Sequence, residues 1–261
     1  MSRRMRSRPL DALPQRILAG AGERIFEALR PRVLENLRKP ASENALLWNL
    51  IYPLARPHLQ LSTLLALRPL WGSGIVADDS LKPYLWGYGL DGVPLNGLSE
   101  SIDLLGGGEQ KTEVDLFLVG SEHLILVEAK HLSGLGRCGR YARGKCPEIH
   151  VENVQPGAAC RYWEVPEARF DRALDFGPRP TPEGGRPPCS LHYQLGRTLL
   201  LALGLGERLG LASHLWLITP GSRWGQIESA WLDFAERVRD PEMWRRLRVL
   251  GWESVRGLAG G

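Results

Sequence analysis

The residues best suited to chemistry lie between Lys111 and His131, where the chain reads KTEVDLFLVGSEHLILVEAKH. Two segments rich in Val, Leu, Ile and Phe, 113–119 and 123–130, flank a polar link, and this pattern is typical of a β-hairpin. One predicted strand carries an aspartate, and the other carries a glutamate and a lysine. Such a trio can bind a divalent metal ion and activate a water molecule.

The length of the loop decides which residues face each other across the predicted hairpin. If residues 121–122 form a two-residue loop, Asp115 lies directly opposite Glu128, and Glu113 lies opposite Lys130. Their Cβ atoms would then be roughly 5 Å apart. A loop one residue earlier would shift the pairing by two residues. Because side chains alternate with period two, Asp115, Glu128 and Lys130 share one face in either case.

Charged residues at alternate strand positions usually mark a solvated sheet face, and this is the alternative to a functional interpretation. The predicted face is charged only at its far end, and near the loop it is apolar, with Phe117, Val119, Leu124 and Leu126. Two carboxylates held together in a half-buried place repel each other, and a divalent cation relieves that repulsion. The change from apolar to charged therefore favours function.

Asp115 and the tripeptide Glu128-Ala129-Lys130 resemble the signature of the PD-(D/E)-x-K nuclease superfamily, which has an Asp on one strand and a Glu-x-Lys on the next. Val114 stands where the fullest form of the motif has a proline. The resemblance spans roughly residues 42 to 220. It implies the restriction-endonuclease-like fold, an α/β fold with an αβββαβ core whose mixed central sheet is flanked by helices.

The resemblance also implies a reaction. Asp115, Glu128 and the backbone carbonyl of Ala129 would hold Mg²⁺ or Mn²⁺, since hard cations prefer oxygen ligands. Lys130 would orient or help deprotonate a water and stabilise the transition state, and the product would carry a 5′-phosphate. We expect the Lys130 ammonium to be exposed, so that Lys130→Ala leaves the fold intact.

Glu43 is a further candidate metal ligand, because an acidic residue on a helix before the sheet often completes the site in the superfamily. It follows Ser42 and opens an amphipathic segment that is predicted to be helical to about Leu54. The alternative is structural, because Ser42 can cap this helix and an acidic residue in the first turn is favoured by the helix dipole.

Gln194 is a candidate catalytic residue, since many members of the superfamily place a glutamine facing the site on the helix after the catalytic strands. The predicted helix runs through 199–201. Arg197, one turn further on, is a candidate phosphate contact. The alternative for Gln194 is an ordinary solvated side chain.

Positive charge is concentrated at the start of the chain. Residues 1–40 contain ten Lys and Arg against four Asp and Glu, although the formal net charge of the whole chain is only +4. This basic, helical N-terminal arm could contact phosphates, or its charges could simply solvate a helix face. Near the other end, Asp240 and Pro241 predict a helix start. We favour core packing for Trp244 on that helix over contact with nucleic acid.

Length and composition indicate one decorated domain. The chain has 261 residues, 43% of them hydrophobic, which suffices for one substantial core. Residues 41–261 are assigned to the nuclease-like domain. The apolar segments are too short to span a membrane, and the first residues lack the apolar core of a signal peptide, so we expect a cytoplasmic protein without membrane contact.

The predicted order of elements is a helical arm, the Glu43 helix, a strand at 102–105, the hairpin, an insertion, the Gln194 helix, a strand at 214–219 and helices from Gln226 onward. The insertion covers about 131–190, is rich in Gly and Pro, and includes an exposed loop at 178–188.

All four cysteines, Cys138, Cys146, Cys160 and Cys189, lie in the insertion, with His150 and His192 close by. Stable disulfides are not expected in a cytosolic protein, whereas four thiolates could hold a structural zinc ion or an iron–sulfur cluster. The intervals of seven, thirteen and twenty-eight residues match no paired CxxC pattern. The alternative is four small, partly buried thiols.

These observations predict a metal-dependent nuclease that hydrolyses phosphodiester bonds, with DNA favoured over RNA because the superfamily is mostly DNA-directed. A homodimer could supply two active sites. The alternative is a catalytically inactive nuclease-fold subunit that binds nucleic acid or serves in assembly, which the intact Asp115, Glu128 and Lys130 disfavour.

Overall fold

A five-stranded mixed sheet organises the protein. The computed structural model describes residues 16–39, 41–55, 61–72, 78, 80–106 and 114–259. The strands are β1 (Lys82–Leu85), β2 (Leu116–Val119), β3 (His123–Ala129), β4 (Ala212–Thr219) and β5 (Leu247–Gly251), and they lie in that order across the sheet. Strands β1 to β3 are antiparallel neighbours, whereas β3, β4 and β5 run parallel. This confirms the α/β class with a mixed sheet.

Helices cover both faces of the sheet. Those before the hairpin are α1 (Ile25–Ala28), α2 (Pro31–Leu37), α3 (Glu43–Leu54) and α4 (Leu98–Leu104). The insertion contains three single-turn helices, α5 (Gly139–Ala142), α6 (Arg161–Glu164) and α7 (Pro188–Leu191). The remaining helices are α8 (Tyr193–Leu209), α9 (Gly221–Glu236), α10 (Pro241–Arg245) and α11 (Trp252–Ala259). Among the described residues, no helix is both long and apolar enough to cross a membrane.

The two faces of the sheet belong to two apolar cores. Helices α1, α2, α3 and α11 pack on the face formed by residues such as Leu116, Ile125 and Val127. Helices α4, α8 and α9 and part of the insertion pack on the opposite face, which includes Phe117 and Leu126. Since β3 is covered on both sides, Glu128 in this strand is withdrawn from water, whereas His123 at its start stays partly exposed. The described part of the basic arm, 16–39, contributes to the first core.

Local sequence signals determine where α3 begins and where α8 ends; these are the two long helices near the hairpin. The Ser42 side chain accepts a hydrogen bond from the N–H of Ala45 and caps α3, whose bounds agree with the prediction. Helix α8 begins at Tyr193 and ends where Gly210 adopts φ 69°, a left-handed conformation that suits glycine. The N-terminal turns of both helices lie at the same end of β3, because Glu43 of α3 bonds to His131 and Gln194 of α8 bonds to Glu128.

The predicted hairpin is confirmed with its two-residue loop. The Gly120 N–H donates to the His123 carbonyl over 2.9 Å. Leu116 pairs with Val127, and continuing this register by one residue places Asp115 opposite Glu128. The predicted pairing of Glu113 with Lys130 lies outside the described residues.

Asp78, which lies outside the hairpin in the sequence, holds the hairpin loop by a hydrogen bond. One of its oxygens accepts the Glu122 N–H at 3.3 Å, and the other accepts hydrogen bonds from Ser80. Although burial opposes ionisation, these hydrogen bonds hold the pKa of Asp78 at about 2. A Cβ atom on Gly120 would lie only 1.8 Å from an Asp78 oxygen. The loop therefore requires a glycine at this position.

The strand predicted at 102–105 is wrong. That segment belongs to α4, and the first strand of the sheet is β1, about twenty residues earlier. Leu98, Ser101 and Leu105 are buried on one side of α4, a helical spacing that a short apolar run does not reveal by itself.

A second correction concerns the C-terminal region, where only helices were predicted. Asp240 does cap α10, which begins at Pro241 as expected. The chain then forms strand β5, in which Arg248 is buried. Its guanidinium lies 4.8 Å from the Trp216 ring centre and donates to the carbonyls of Leu65 and Leu67. The strand was not predicted because the charged Arg248 interrupts its apolar residues, and the resulting pattern is typical of an amphipathic helix.

Trp244 also differs from its prediction, since 43% of its surface is exposed. It packs edge-on against Trp71, while Met243 and Leu247 enter the core in its place. Most of the predicted loop at 178–188 is exposed as expected, but Pro187 is buried, Pro180 and Pro188 are partly buried, and Pro188 begins α7.

We predict that Gly120→Ala destabilises the protein by about 1–3 kcal/mol, because the new methyl group must displace the Asp78 carboxylate that holds the loop. Gly134→Ala is the matched control, since Gly134 is exposed and its added Cβ would meet no atom within 4 Å. Urea unfolding of the three proteins measures the difference. Equal midpoints for both variants would contradict this role of the loop.

Candidate active site

Asp115 and Glu128 meet where β2 begins and β3 ends. The Ala129 N–H donates to Asp115 Oδ2 over 2.8 Å, which ties the aspartate to the neighbouring strand. Glu128 is only 1% exposed. Both side chains line one cavity of about 750 Å³, as the hairpin register predicted.

Helix α8 holds the Glu128 carboxylate by two hydrogen bonds. Gln194 Nε2 donates to Oε2 over 2.7 Å, and Thr198 Oγ1 donates to Oε1 over 2.6 Å. Gln194 also accepts the Gly136 N–H at 2.8 Å, so it links the insertion to β3. Thr198 was missed by sequence reasoning, although it lies four residues after Gln194 and therefore on the same helix face.

Lys130 is buried, which corrects the expectation of an exposed ammonium. Only 6% of its surface is accessible, and its Nζ lies 3.7 Å from Glu128 Oε2. Its backbone is held on both sides, because its N–H donates to Ile218 and its carbonyl accepts from Trp252 Nε1. Removing the ammonium would leave a buried carboxylate without its counter-charge, so Lys130→Ala is expected to reduce stability as well.

Glu43 reaches the same cavity from the first turn of α3. Its Oε2 accepts hydrogen bonds from the His131 N–H and from Ser133 Oγ. In this arrangement Glu43 supports the segment that follows Lys130. Its direct coordination of a metal stays a prediction.

Arginines surround the carboxylates. The cavity is lined by six cationic and three acidic side chains: Arg30, Arg32, Lys130, Arg137, Arg143 and Arg197, with Glu43, Asp115 and Glu128. Arg197 is buried with its guanidinium 5.4 Å from the Tyr193 ring centre and 5.7 Å from that of Tyr162. A cavity with more positive than negative groups suits an anionic ligand.

Trp86 shows backbone strain at the cavity wall. With φ 52° it is the only non-glycine residue with positive φ among the described residues. It occupies a tight turn after β1, and its N–H donates to the Asp115 carbonyl. Such conformations are costly and concentrate at functional sites, where the surrounding structure enforces them.

Burial shifts the pKa values of the two carboxylates, Asp115 and Glu128, and of the neighbouring Lys130. Burial and the neighbouring Glu128 charge raise the pKa of Asp115 to about 8. Burial also raises the pKa of Glu128, although Lys130 and the Thr198 hydrogen bond oppose the shift. Burial lowers the pKa of Lys130, but the carboxylates around it outweigh this and raise it. The ammonium is therefore kept, while both carboxylates gain from an added cation.

The donors fit a hard divalent ion. Within the described residues, no group of three or more His, Cys, Asp or Glu side chains is arranged to hold a metal ion. Magnesium does not require such a group, since it commonly binds through one or two carboxylates and completes its shell with water and substrate phosphate. Asp115 and Glu128, adjacent and destabilised as anions, provide that minimum.

Comparisons with protein-family models, with curated proteins and with solved structures each found no match for this chain.

We predict that folding stability falls as pH rises from 6 to 8 in metal-free buffer, in a way that depends on Asp115. A carboxyl group whose pKa is raised on folding stabilises the native state while protonated, and this contribution is lost as pH approaches about 8. The slope is at most about 1.4 kcal/mol per pH unit for each proton.

Asp115→Asn removes this titration but retains an oxygen that can accept the Ala129 N–H. The difference in unfolding free energy between wild type and variant reports Asp115 together with its electrostatic effect on Glu128, because both proteins share all other titrating residues. We expect the unfolding free energy of Asp115→Asn to increase relative to that of the wild type as the pH rises. Parallel stability curves would contradict the raised pKa.

Proposed function

We propose that the protein is a metal-dependent nuclease that hydrolyses phosphodiester bonds, with DNA as the favoured substrate. The observation that carries the proposal is the carboxylate pair beside a buried lysine, set in a cavity with an excess of arginines. Carboxylates alone would suit a cation, and arginines alone would suit an anion. Their combination suits a phosphate bound together with a divalent ion.

The order of elements supports a restriction-endonuclease-like fold. Without α4 and the insertion, α3, β1, β2, β3, α8 and β4 run in the order αβββαβ. The Asp lies at the start of β2 and the Glu-x-Lys at the end of β3, as in the superfamily that the motif resembles. The first strand is β1 rather than the predicted segment, but the core order is unchanged.

Lys130 would act on the water and the phosphate. Glu128 and the β-strand backbone hold its ammonium at the cavity, where a positive charge stabilises negative charge on the phosphate oxygens in the transition state. Attack by water forms a new P–O bond, and the bond to the 3′ oxygen breaks. The products are a 5′-phosphate, as the resemblance implies, and a 3′-hydroxyl.

Asp115, Glu128 and the Ala129 carbonyl would hold Mg²⁺ or Mn²⁺, which when bound lowers the pKa of water and neutralises phosphate charge. Gln194 and Thr198 fix both oxygens of Glu128 and favour its ionised form. Helix α8 is thus a positioning element for the acidic ligand as well as a wall of the cavity.

The direct test incubates the purified chain with labelled single-stranded, duplex and branched DNA and with RNA, in Mg²⁺ or Mn²⁺. We expect cleavage of DNA that EDTA stops, and a loss of at least about 100-fold in Glu128→Gln and in Lys130→Met. Glu236→Gln is the matched control, because Glu236 is exposed at the end of α9, away from the cavity. Thermal unfolding checks that each variant is folded.

Unchanged cleavage in folded Glu128→Gln would refute the proposed active site. Metal-independent binding of nucleic acid without cleavage of any substrate would instead indicate the inactive subunit.

A separate prediction concerns the arginines. In a Glu128→Gln background that blocks turnover, Arg32→Gln and Arg137→Gln should each weaken DNA binding at all sequences and reduce the slope of log affinity against log salt by about 1. Both arginines are exposed and line the cavity. Arg256→Gln on α11 is the control and should leave the slope unchanged. Equal slopes in all variants would remove the cavity from the binding surface.

A further inference from the structure

A second basic cavity lies beside the candidate active site, and most of its wall comes from the insertion. Its volume is about 680 Å³, against about 750 Å³ for the cavity that contains the carboxylates. Arg143, Tyr193 and Arg197 line both cavities, so the two adjoin along these residues. We call the second cavity the insertion groove.

The insertion groove is lined by charges of one sign. Five of its side chains are cationic, and among the described residues that line it there is no Asp or Glu: the cations are Arg140, Arg143, Lys145, Arg161 and Arg197. The active-site cavity, in contrast, has three acidic side chains among its cations. A concave surface with positive charge alone concentrates anionic ligands, so the groove suits an anion without the help of a metal ion.

Nearby carboxylates do not neutralise the exposed cations of the groove. Elsewhere in the insertion arginines pair with acids, as Arg179 does with Glu148. Within the part of the chain that the structure describes, no ion pair is formed by the exposed side chains of Arg140, Arg143 and Lys145. Arg161 donates to the Leu104 carbonyl over 2.8 Å, and a carbonyl does not neutralise the guanidinium charge. These cations are therefore available to phosphates, whose counterions are released on binding.

Arg197 lies where the two cavities adjoin. Only 7% of its surface is exposed, and its guanidinium packs against the ring of Tyr193, which also lines both cavities. It follows Gln194 by three residues on α8, and Gln194 holds Glu128. One face of α8 therefore positions both a partner of the carboxylate pair and a cation of the groove. A phosphodiester strand that enters the active-site cavity can continue past Arg197 into the groove.

The four cysteines belong to the wall beside this groove. Cys138, Cys146 and Cys160 line the groove, and together with Cys189 they line a separate void of about 20 Å³. This void has room for about one water molecule. Within the described residues, the thiols are not grouped to hold a metal ion. The arrangement favours four small, partly buried thiols over the predicted structural zinc ion or iron–sulfur cluster.

We propose that the insertion groove binds backbone phosphates of the nucleic acid beyond the scissile phosphate, so that the protein acts on polynucleotides rather than on dinucleotides. The observations that carry the proposal are the uniform positive charge of the groove and its continuity with the active-site cavity. Arginine and lysine side chains in such a groove contact phosphates without reading the base sequence. The inference rests on the proposed nuclease function and assigns a role in substrate binding to the insertion.

The first test measures binding in the Glu128→Gln background of the full chain, with single-stranded and duplex DNA of about 20 nucleotides and with RNA of the same length. The combined change Arg140→Gln and Lys145→Gln should weaken binding and reduce the slope of log affinity against log salt by about 2, because each cation contacts about one phosphate. The matched control is Lys82→Gln with Arg256→Gln, which removes the same charge from exposed positions outside both cavities. Thermal unfolding checks that both variants are folded.

The second test measures cleavage with Glu128 intact. The ratio of kcat/KM for a strand of about 20 nucleotides to that for a dinucleotide should fall about tenfold or more in Arg140→Gln with Lys145→Gln, because the dinucleotide has no phosphate to place in the groove. The control variant should keep the wild-type ratio.

An unchanged salt slope, or an unchanged ratio in a variant that cleaves DNA, would overturn the groove and leave the nuclease function intact. A reduced slope in a protein that cleaves no substrate would retain the groove as a nucleic-acid site and refute the nuclease function instead. A wild type that binds none of the strands would overturn both.

Discussion

The burial of Glu128 is the constraint on which the rest of the structure depends. A carboxylate at 1% exposure cannot remain charged without partners, and here a lysine, a glutamine and a threonine supply them. Those partners come from Lys130, which directly follows β3, and from α8. The position of α8 against the sheet is therefore set by electrostatics as well as by the apolar contacts between the two elements.

Asp115 adds a second carboxylate that the site does not fully compensate. Burial, and then the Glu128 charge, raise the pKa of Asp115 although Lys130 opposes the shift, while five arginines line the same cavity. A nuclease of the proposed kind would gain from this combination, because a bound cation and an anionic substrate would each improve the site for the other. The N–H of Trp86, whose backbone is strained, donates to the carbonyl of the same aspartate. An unfavourable backbone conformation and a buried carboxylate are therefore adjacent.

The sequence allowed the central hairpin and the shared face of Asp115 and Glu128 to be predicted, because side chains alternate with period two. It left two registers open, and the structure has the one with the loop at 121–122. It did not reveal β5, since a buried Arg248 breaks the apolar pattern and is satisfied only by distant carbonyls. The burial of Lys130 also depended on the sheet being covered on both faces. The placement of the four cysteines around one small void could not be derived from their spacing, because it depends on hydrogen bonds between distant residues, from Cys160 to Glu148 and from Cys138 to Ser190.

The most direct test of the central claim is anomalous diffraction from crystals of the chain soaked in Mn²⁺ at pH 8, where the carboxylates are increasingly ionised. Our account predicts one manganese peak in contact with the side chains of both Asp115 and Glu128, and its absence in crystals of Asp115→Asn. A peak elsewhere, or none at saturating Mn²⁺ with both carboxylates ordered, would contradict the proposed metal-dependent active site.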